Sequence, residues 1–220
     1  PGKPFANSYW VEPGRFLAGE YPGARGEEAT RRRVRGLIEA GFDCFIDLTS
    51  EDELEPYDPW LPRAHGRAAV RHVRRSIPDH GIPADPPSMC AILDEIDHAL
   101  GSGGRVYLHC RAGIGRTGTV VGCWLARRGL GGRAALERLN QLWLECGRAQ
   151  SWPSVPETDA QVDFVLRWRE QGLEAIASTG DTAIANTLAD RYRGMLLGLA
   201  VGDALGQATH HRRAGSFTPV

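Results

Sequence analysis

The stretch R-V-Y-L-H-C-R-A-G-I-G-R-T-G-T-V-V-G-C-W-L, at residues 105–125, decides the fold. Its first part, Arg105–His109, predicts a short strand that runs directly into a glycine-containing loop. A helix follows at once, marked by apolar residues at helical spacing, namely Val120, Val121, Trp124 and Leu125. A strand joined to a helix by a tight loop is the building unit of α/β domains.

The chain on both sides of this stretch alternates between strands and helices in the same way. Residues 1–25 are rich in glycine, proline and aromatic residues and indicate short strands and turns. Strands that alternate with helices predict an α/β fold with a mostly parallel central sheet flanked by helices. The predicted strands are Phe42–Leu48 and Ala68–Ile77, and the predicted helices are 27–40, 87–100, 133–146 and 157–171.

Composition excludes several classes of protein. The 26 basic and 27 acidic side chains leave a net charge of -1, which excludes a polycation built to bind nucleic acid. With 24% charged and 42% hydrophobic residues, the chain is neither disordered nor collagen-like. Its five cysteines have no C-x-x-C spacing, which favours a reducing compartment over disulfides or zinc. No apolar run reaches the ~18 residues of a membrane span. We therefore expect a cytoplasmic monomer.

The loop that follows Arg105–His109 has the composition of an anion trap with a nucleophile. Gly113 and Gly115 permit a backbone that turns its N–H groups inward, and the loop ends at a helix N-terminus. The same field stabilises the thiolate form of Cys110. Arg116 can bind two phosphoryl oxygens at once, which a lysine cannot do.

This loop resembles the signature H-C-x-x-G-x-x-R-[ST] of cysteine-dependent protein-tyrosine and dual-specificity phosphatases, and the resemblance spans about residues 8–170. It implies Cys110 as the nucleophile and Arg116 as the phosphate ligand. It also implies that Thr117 donates its hydroxyl to the leaving sulfur, while His109 is a structural hydrogen-bonding partner of the loop. The phosphate-binding loop would comprise His109, Arg111, Ala112, Gly113, Ile114 and Gly115.

A second loop supplies an acid. R-S-I-P-D-H-G-I-P at residues 75–83 is similar to the W-P-D-H-G-V-P loop of tyrosine phosphatases, with Ile77 at the position of the tryptophan. The resemblance gives Asp79 the role of general acid, and of general base when water attacks the phosphocysteine. Asp85 is the rival carboxylate, but it lacks the Pro-Asp-x-Gly context.

A third segment, P-E-T-D-A-Q at residues 156–161, resembles the glutamine loop of the same family, which orients the hydrolytic water. Glu157 replaces the first glutamine of that pattern, and Gln161 keeps the second. Gln161 is therefore a candidate for positioning water. The alternative is a capping box, with Thr158 as the N-cap of the following helix and Gln161 three residues later.

The end of the chain resembles a different family. R-Y-R-G-M-L-L-G-L-A-V-G-D-A-L-G at residues 191–206 is similar to the first helix of ADP-ribosylglycohydrolases, which are magnesium-dependent and all-helical. The acidic metal-binding motif of that family is absent, and His210 stands where the family has glutamate. We expect a phosphatase domain over 1–170, a linker at 171–186, and a truncated, catalytically silent helical piece at 187–220. The chain would then be part of a longer two-domain protein.

The motifs together predict a phosphatase without metal or cofactor that hydrolyses phosphotyrosine or phosphoserine/threonine in proteins through a phosphocysteine. A small phosphoester is the other substrate we expect, and nucleic acid is not expected as a partner. One alternative is a phosphatase for a nucleotide, ADP-ribose-linked or RNA-end phosphate, and another is a non-catalytic phosphate-binding module. The run Arg71, His72, Arg74 and Arg75 either steers a polyanion to the site or is a solvated edge strand.

Overall fold

A computed structural model describes residues 2–62 and 70–170. Five strands form one sheet in the order β1-β2-β5-β3-β4, in which only the β1–β2 pair is antiparallel. The predicted α/β class with a mostly parallel sheet is therefore confirmed. The strands are β1 (Ser8–Glu12), β2 (Phe16–Gly19), β3 (Cys44–Asp47), β4 (Arg71–Arg74) and β5 (Val106–His109). The helices are α1 (Glu27–Glu39), α2 (Pro86–Gly101), α3 (Gly115–Leu125), α4 (Gly131–Trp143) and α5 (Asp159–Arg167).

Apolar side chains from the two faces of the sheet form two separate cores. On one face, Phe16, Ile46 and Leu108 belong to the same buried cluster as the inner sides of α2, α3, α4 and α5. On the other face, their strand neighbours Leu17, Phe45 and Tyr107 share a cluster with residues of α1. Successive residues of a strand point to opposite faces, so strands covered on both sides need apolar residues at every position. This explains why these strands read as continuous apolar runs.

Helix α3 is the central element of the larger core. All eleven of its residues are buried, including Arg116 in its first turn. A helix that is apolar nearly all round is buried on every side, and here the neighbours α2, α4 and α5 cover it. Among the residues that the structure describes, no helix has both the length and the apolar character that crossing a membrane requires.

The element boundaries differ from the sequence prediction mainly at the C-terminal side. Helix α5 ends at Arg167 rather than at residue 171, because Trp168 takes an extended conformation (ψ 120°) that places its side chain in the core. Strand β4 is described from Arg71 onward, and residues 63–69 lie outside the described part. The predicted linker at 171–186 and the predicted glycohydrolase-like piece at 187–220 also lie outside the described residues.

Two glycine-to-alanine substitutions test the packing of the helices. In Gly132→Ala, the new Cβ would lie 2.4 Å from the Leu166 carbonyl oxygen, where α4 meets α5, so we expect a loss of about 1–3 kcal/mol. Gly36→Ala is the matched control inside α1, because no atom lies within 4 Å of its new Cβ. We expect a gain of about 0.5–1 kcal/mol there. Urea unfolding of both variants measures the difference, and equal shifts would contradict the close α4–α5 contact.

Candidate active site

The cysteine loop, residues 109–118, begins where β5 ends and closes into the first turn of α3. Gly113 has a φ of 76°, and a Cβ there would lie 2.5 Å from the carbonyl carbon of Gly19. Only glycine combines this dihedral angle with so close an approach of two backbone segments. The N–H of Tyr21 donates to the carbonyl oxygen of Arg111 at 3.1 Å, which joins the loop to the chain beyond β2.

The predicted nucleophile borders a cavity of about 260 Å³. Cys110 is only 3% exposed, and the first turn of α3 meets the same cavity. The N–H groups at a helix N-terminus carry partial positive charge, so this position favours an anion. The structure thus brings Cys110, Arg116 and Asp79, the three residues predicted to carry the chemistry, to one cavity. It is lined by Asp79, His80, Cys110, Arg111, Ala112, Gly115, Arg116 and Glu157.

The Arg116 guanidinium is almost completely buried but is surrounded by polar partners. Each of its two terminal nitrogens donates to one carboxylate oxygen of Glu53 at 2.7 Å. Nη2 also donates to Asp79 Oδ1 at 2.8 Å, and Nη1 donates to the Ile77 carbonyl oxygen at 3.2 Å. Burial acts to lower the pKa of Arg116, but the hydrogen bonds to Glu53 and the nearby Cys110 raise it overall. The guanidinium therefore remains charged.

Glu53 is a site residue that sequence reasoning missed. It lies in the acidic loop E-D-E-L-E-P at residues 51–56, beside three other carboxylates and without a motif of its own. Its Oε2 also accepts the Ser50 N–H at 3.0 Å, and the hydrogen bond from Arg116 lowers the pKa of Glu53. A buried arginine requires a carboxylate partner, and this requirement is the one available signal for such a residue.

The acid loop, residues 75–83, is held to the sheet by its backbone. The N–H of the buried Ile77 donates to the Leu48 carbonyl oxygen at 3.0 Å, just beyond the end of β3. A turn follows, in which the Gly81 N–H donates to the Pro78 carbonyl oxygen at 2.8 Å. This turn places Asp79 against Arg116 while leaving the Asp79 side chain 44% exposed. The Asp79 carboxyl therefore lines the cavity and can contact a group bound there.

Asp85, the rival carboxylate, has a structural role instead. It is the N-cap of α2, and its Oδ1 accepts the Ser88 N–H at 2.7 Å. That hydrogen bond satisfies one of the free donors at the start of the helix. Asp85 does not line the cavity that Asp79 and Cys110 share.

His109 lies on the buried side of the loop and contacts Tyr57. The Tyr57 hydroxyl lies 2.7 Å from His109 Nε2, and Nδ1 lies 3.4 Å from the Cys110 carbonyl oxygen. Burial lowers the pKa of His109 to about 4 and raises that of Tyr57 well above its usual value. The Tyr57 hydroxyl therefore keeps its proton and donates a hydrogen bond to Nε2 of a neutral imidazole. The Asp47 carboxylate is also close to this imidazole, with Oδ1 3.8 Å from His109 Nδ1.

The capping box predicted at Thr158 is present. The Thr158 hydroxyl accepts the Gln161 N–H at 3.3 Å, and Gln161 Oε1 accepts the Thr158 N–H at 3.1 Å. Gln161 Oε1 also accepts the Glu157 N–H, and its Nε2 donates to the Gly81 carbonyl oxygen at 2.8 Å. The buried amide thus joins this segment to the acid loop. Positioning of water by Gln161 stays a prediction.

Thr117 occupies the predicted position in the first turn of α3, next to Arg116. Its side chain is fully buried, and its hydroxyl has no hydrogen-bond partner among the described residues, the Cys110 sulfur included. A buried hydroxyl ordinarily has a partner, so this one is available to an acceptor that forms nearby. Donation to the departing sulfur stays a prediction.

The cationic run of β4 is bound to carboxylates rather than open to a polyanion. Arg75 donates to Glu95 at 2.8 Å, and Arg71 binds the same carboxylate. Arg74 donates to the buried Asp47 at 3.1 Å, and His72 lies 3.6 Å from it. Because their charges are matched locally, these side chains do not favour the polyanion-steering alternative.

Known proteins with similar sequences or structures include several phosphatases. Residues 22–130 match a family model described as "Polymorphic toxin system, DSP-PTPase phosphatase", a range that includes Asp79, Cys110 and Arg116. The solved structure of Tk-PTP in its active form is 26% identical in sequence, with a TM-score of 0.56, and the match covers 73% of this chain and 93% of that one. By these findings the described domain is similar in sequence and in fold to protein-tyrosine and dual-specificity phosphatases.

Relatives in sequence show the same similarity to tyrosine phosphatases over part of their length. Corkscrew, a tyrosine-protein phosphatase of Drosophila melanogaster, is 34% identical over 100 residues, which are 40% of this chain and 11% of corkscrew. The 067L protein of Invertebrate iridescent virus 3, which carries a tyrosine phosphatase name, is 33% identical over 99 residues, or 43% of this chain and 38% of that protein. The chain therefore spans well under half of these relatives.

The buried His109 behind the cysteine loop makes folding stability depend on pH. The usual pKa of histidine is about 6.5, and His109 has about 4 in the folded state, so the unfolded chain binds more protons between these values. Stability from this group is complete above pH ~6.5 and is lost as the pH falls toward 4. The loss should amount to about 3 kcal/mol.

Urea unfolding of His109→Asn between pH 7 and 4 tests this expectation, because the variant lacks the titrating imidazole and should show a shallower pH dependence. His98→Asn is the matched control at an exposed position on α2, and it should keep the wild-type slope. Equal slopes for wild type and His109→Asn would show that His109 is not the group responsible.

Proposed function

We propose that this protein is a phosphatase that hydrolyses phosphomonoesters through a phosphocysteine. The observation that carries the proposal is the meeting of Cys110, Arg116 and Asp79 at one cavity beside a helix N-terminus. Each supplies one requirement of phosphoryl transfer, namely a nucleophile, a charged oxygen ligand and a proton donor. The similarity of the domain to protein-tyrosine and dual-specificity phosphatases supports the same reaction.

In the first step, the Cys110 thiolate attacks phosphorus, an S–P bond forms, and the bond from phosphorus to the leaving oxygen breaks. Arg116 binds the phosphoryl oxygens, which requires its Nη2 to exchange Asp79 for the phosphoryl group. Asp79, released from this contact, donates its proton to the leaving oxygen. Glu53 stays bound and keeps the guanidinium oriented throughout.

In the second step, water attacks phosphorus and the S–P bond breaks. Asp79, now ionised, takes a proton from the water, and Cys110 leaves as a thiolate. The Thr117 hydroxyl donates a hydrogen bond to this sulfur as negative charge returns to the sulfur. Phosphate then leaves, and the enzyme is ready for the next substrate. Both steps use one carboxyl group, first as acid and then as base.

We propose phosphotyrosine or phosphoserine/threonine in proteins as the substrate class. The tyrosine phosphatase names of the sequence relatives support it. We also propose that the protein works in the cytoplasm, because its five cysteines without C-x-x-C spacing favour a reducing compartment. We also keep the proposal that residues 187–220 begin an ADP-ribosylglycohydrolase-like domain, on the sequence motif alone. A panel of phosphopeptides, phosphoinositides, nucleotides and RNA 5′ ends identifies the substrate by comparing kcat/KM.

The nucleophile is tested by Cys110→Ser. We expect the rate of aryl phosphate hydrolysis to fall by at least about 1,000-fold, because a serine hydroxyl is not ionised at neutral pH. Calorimetry should still detect binding of a phosphotyrosine peptide, since Arg116 and the loop remain. Cys90→Ser, on α2 and away from the cavity, is the control and should keep full activity. An active Cys110→Ser enzyme would overturn the mechanism.

The proton donor is tested by Asp79→Asn with a series of aryl phosphates. An acid matters most when the leaving oxygen is basic, so kcat/KM should fall about 100-fold or more for phenyl phosphate and much less for p-nitrophenyl phosphate. Asp85→Asn is the control, because Asp85 caps α2 outside the cavity. If Asp85→Asn rather than Asp79→Asn changes the dependence on leaving group, the assignment of the acid is wrong.

A further inference from the structure

Besides Arg111, two ionisable residues that line the cavity have no part in the steps above. His80 follows Asp79 at the tip of the acid loop, and Glu157 enters from the opposite side. His80 Nδ1 lies 3.3 Å from Glu157 Oε2, and His80 Nε2 lies 3.8 Å from Asp79 Oδ2. The imidazole therefore stands between the carboxylate of the general acid and a second carboxylate.

Glu157 belongs to a firmly held segment, residues 155–161. The Asn140 side chain of α4 bonds both backbone groups of Val155, at 2.8 Å to its carbonyl oxygen and 2.9 Å from its N–H. The capping box between Thr158 and Gln161 fixes the other end. Hydrogen bonds at both ends leave this segment little freedom, so the Glu157 carboxylate is presented from a rigid base.

The tip of the acid loop is more open. His80 has a φ of 56° and a side chain that is 63% exposed, and Asp79 is 44% exposed. Asp79 is held by Arg116, the group that must turn to the phosphoryl oxygens when substrate binds. During catalysis Asp79 therefore needs a support other than Arg116. The 155–161 segment offers this support through His80 and through the Gln161–Gly81 hydrogen bond.

The charge of Glu157 leads to the same pairing. A Cβ built on Gly115 would lie 2.9 Å from Glu157 Oε2, so this carboxylate rests directly on the phosphate-binding loop. A lone carboxylate there would repel a phosphoryl dianion. The His80 imidazole, whose Nδ1 lies 3.3 Å from Glu157 Oε2, would offset that charge when it carries a proton. The pair can thus remain beside the substrate where Glu157 alone would weaken its binding.

We propose that His80 and Glu157 form a positioning pair that holds the acid loop closed and keeps Asp79 aligned with the leaving oxygen. Neither side chain exchanges a proton with the substrate, so both are positioning residues. The proposal rests on the phosphatase mechanism given above, because it assigns the pair to the step in which Asp79 acts as an acid. The proposal also accounts for the left-handed backbone conformation of His80, which residues other than glycine rarely adopt unless the surrounding structure stabilises it.

The test uses Glu157→Gln, His80→Asn and the double variant, measured as kcat/KM for the same series of aryl phosphates. Glutamine keeps the size of Glu157 and removes its charge. Asparagine tolerates the φ of His80 and removes the imidazole. Glu137→Gln on the exposed side of α4 and His98→Asn on α2 are controls with the same chemical changes elsewhere.

We expect each single variant to lose about 10-fold more in kcat/KM for phenyl phosphate than for p-nitrophenyl phosphate, a part of what an acid contributes. His80→Asn should in addition weaken the binding of both substrates equally, because it leaves the charge of Glu157 unmatched beside the phosphoryl group. The kcat/KM of the double variant should be no lower than that of the less active single variant, because the two substitutions break the same interaction. Losses that multiply, or that are equal for all leaving groups, would overturn the pair. A loss confined to Glu157→Gln, with accumulation of phosphocysteine, would instead make Glu157 a base toward water.

The outcome is separable from that of the proposed function. If Cys110→Ser is inactive while Glu157→Gln and His80→Asn match their controls, the positioning pair is wrong and the phosphocysteine mechanism stands. If Cys110→Ser is active, the mechanism itself fails. Urea unfolding of each variant shows that a change in kcat/KM is not a change in folding, since both side chains are partly exposed.

Discussion

The site depends on one buried ion pair, Arg116 with Glu53. A guanidinium removed from water is costly unless its donors find acceptors in good geometry. Here two parallel hydrogen bonds of 2.7 Å from a single carboxylate supply that geometry, and the carbonyl oxygen of Ile77 adds another acceptor. Glu53 therefore does more than balance charge. It fixes the plane of the guanidinium, and that plane decides where a phosphoryl group can bind.

Because Arg116 contacts two separate loops, it also couples them to its own helix. The acidic loop contributes Glu53, the acid loop contributes Asp79 and Ile77, and α3 carries the guanidinium itself. Only the contact with Asp79 involves a side chain that is substantially exposed. The permanent partners are thus on the buried side and the exchangeable partner is on the side of the cavity. This division lets the arginine bind a phosphoryl group without losing its orientation.

The residues that sequence could predict lie in continuous motifs. Cys110, Arg116 and Asp79 each sit in a short pattern whose spacing has a chemical reason, and the α/β class follows from strands alternating with helices. Glu53 and Tyr57 could not be predicted in this way. They reach the site because the chain after β3 folds back over the cysteine loop, and nothing local distinguishes Glu53 from its acidic neighbours. Long-range contacts select one side chain from several equivalent candidates.

The distribution of charge explains how a chain with a net charge of -1 can favour an anion at one point. The arginines of β4 are matched by Glu95 and Asp47, so they add little field at a distance. At the cavity, the charge of Arg116 is divided between Glu53 and an exchangeable Asp79, and the helix N-terminus adds a partial positive charge. Attraction is therefore confined to contact range. His80 and Glu157 line the same cavity and therefore lie within contact range of an anion bound there.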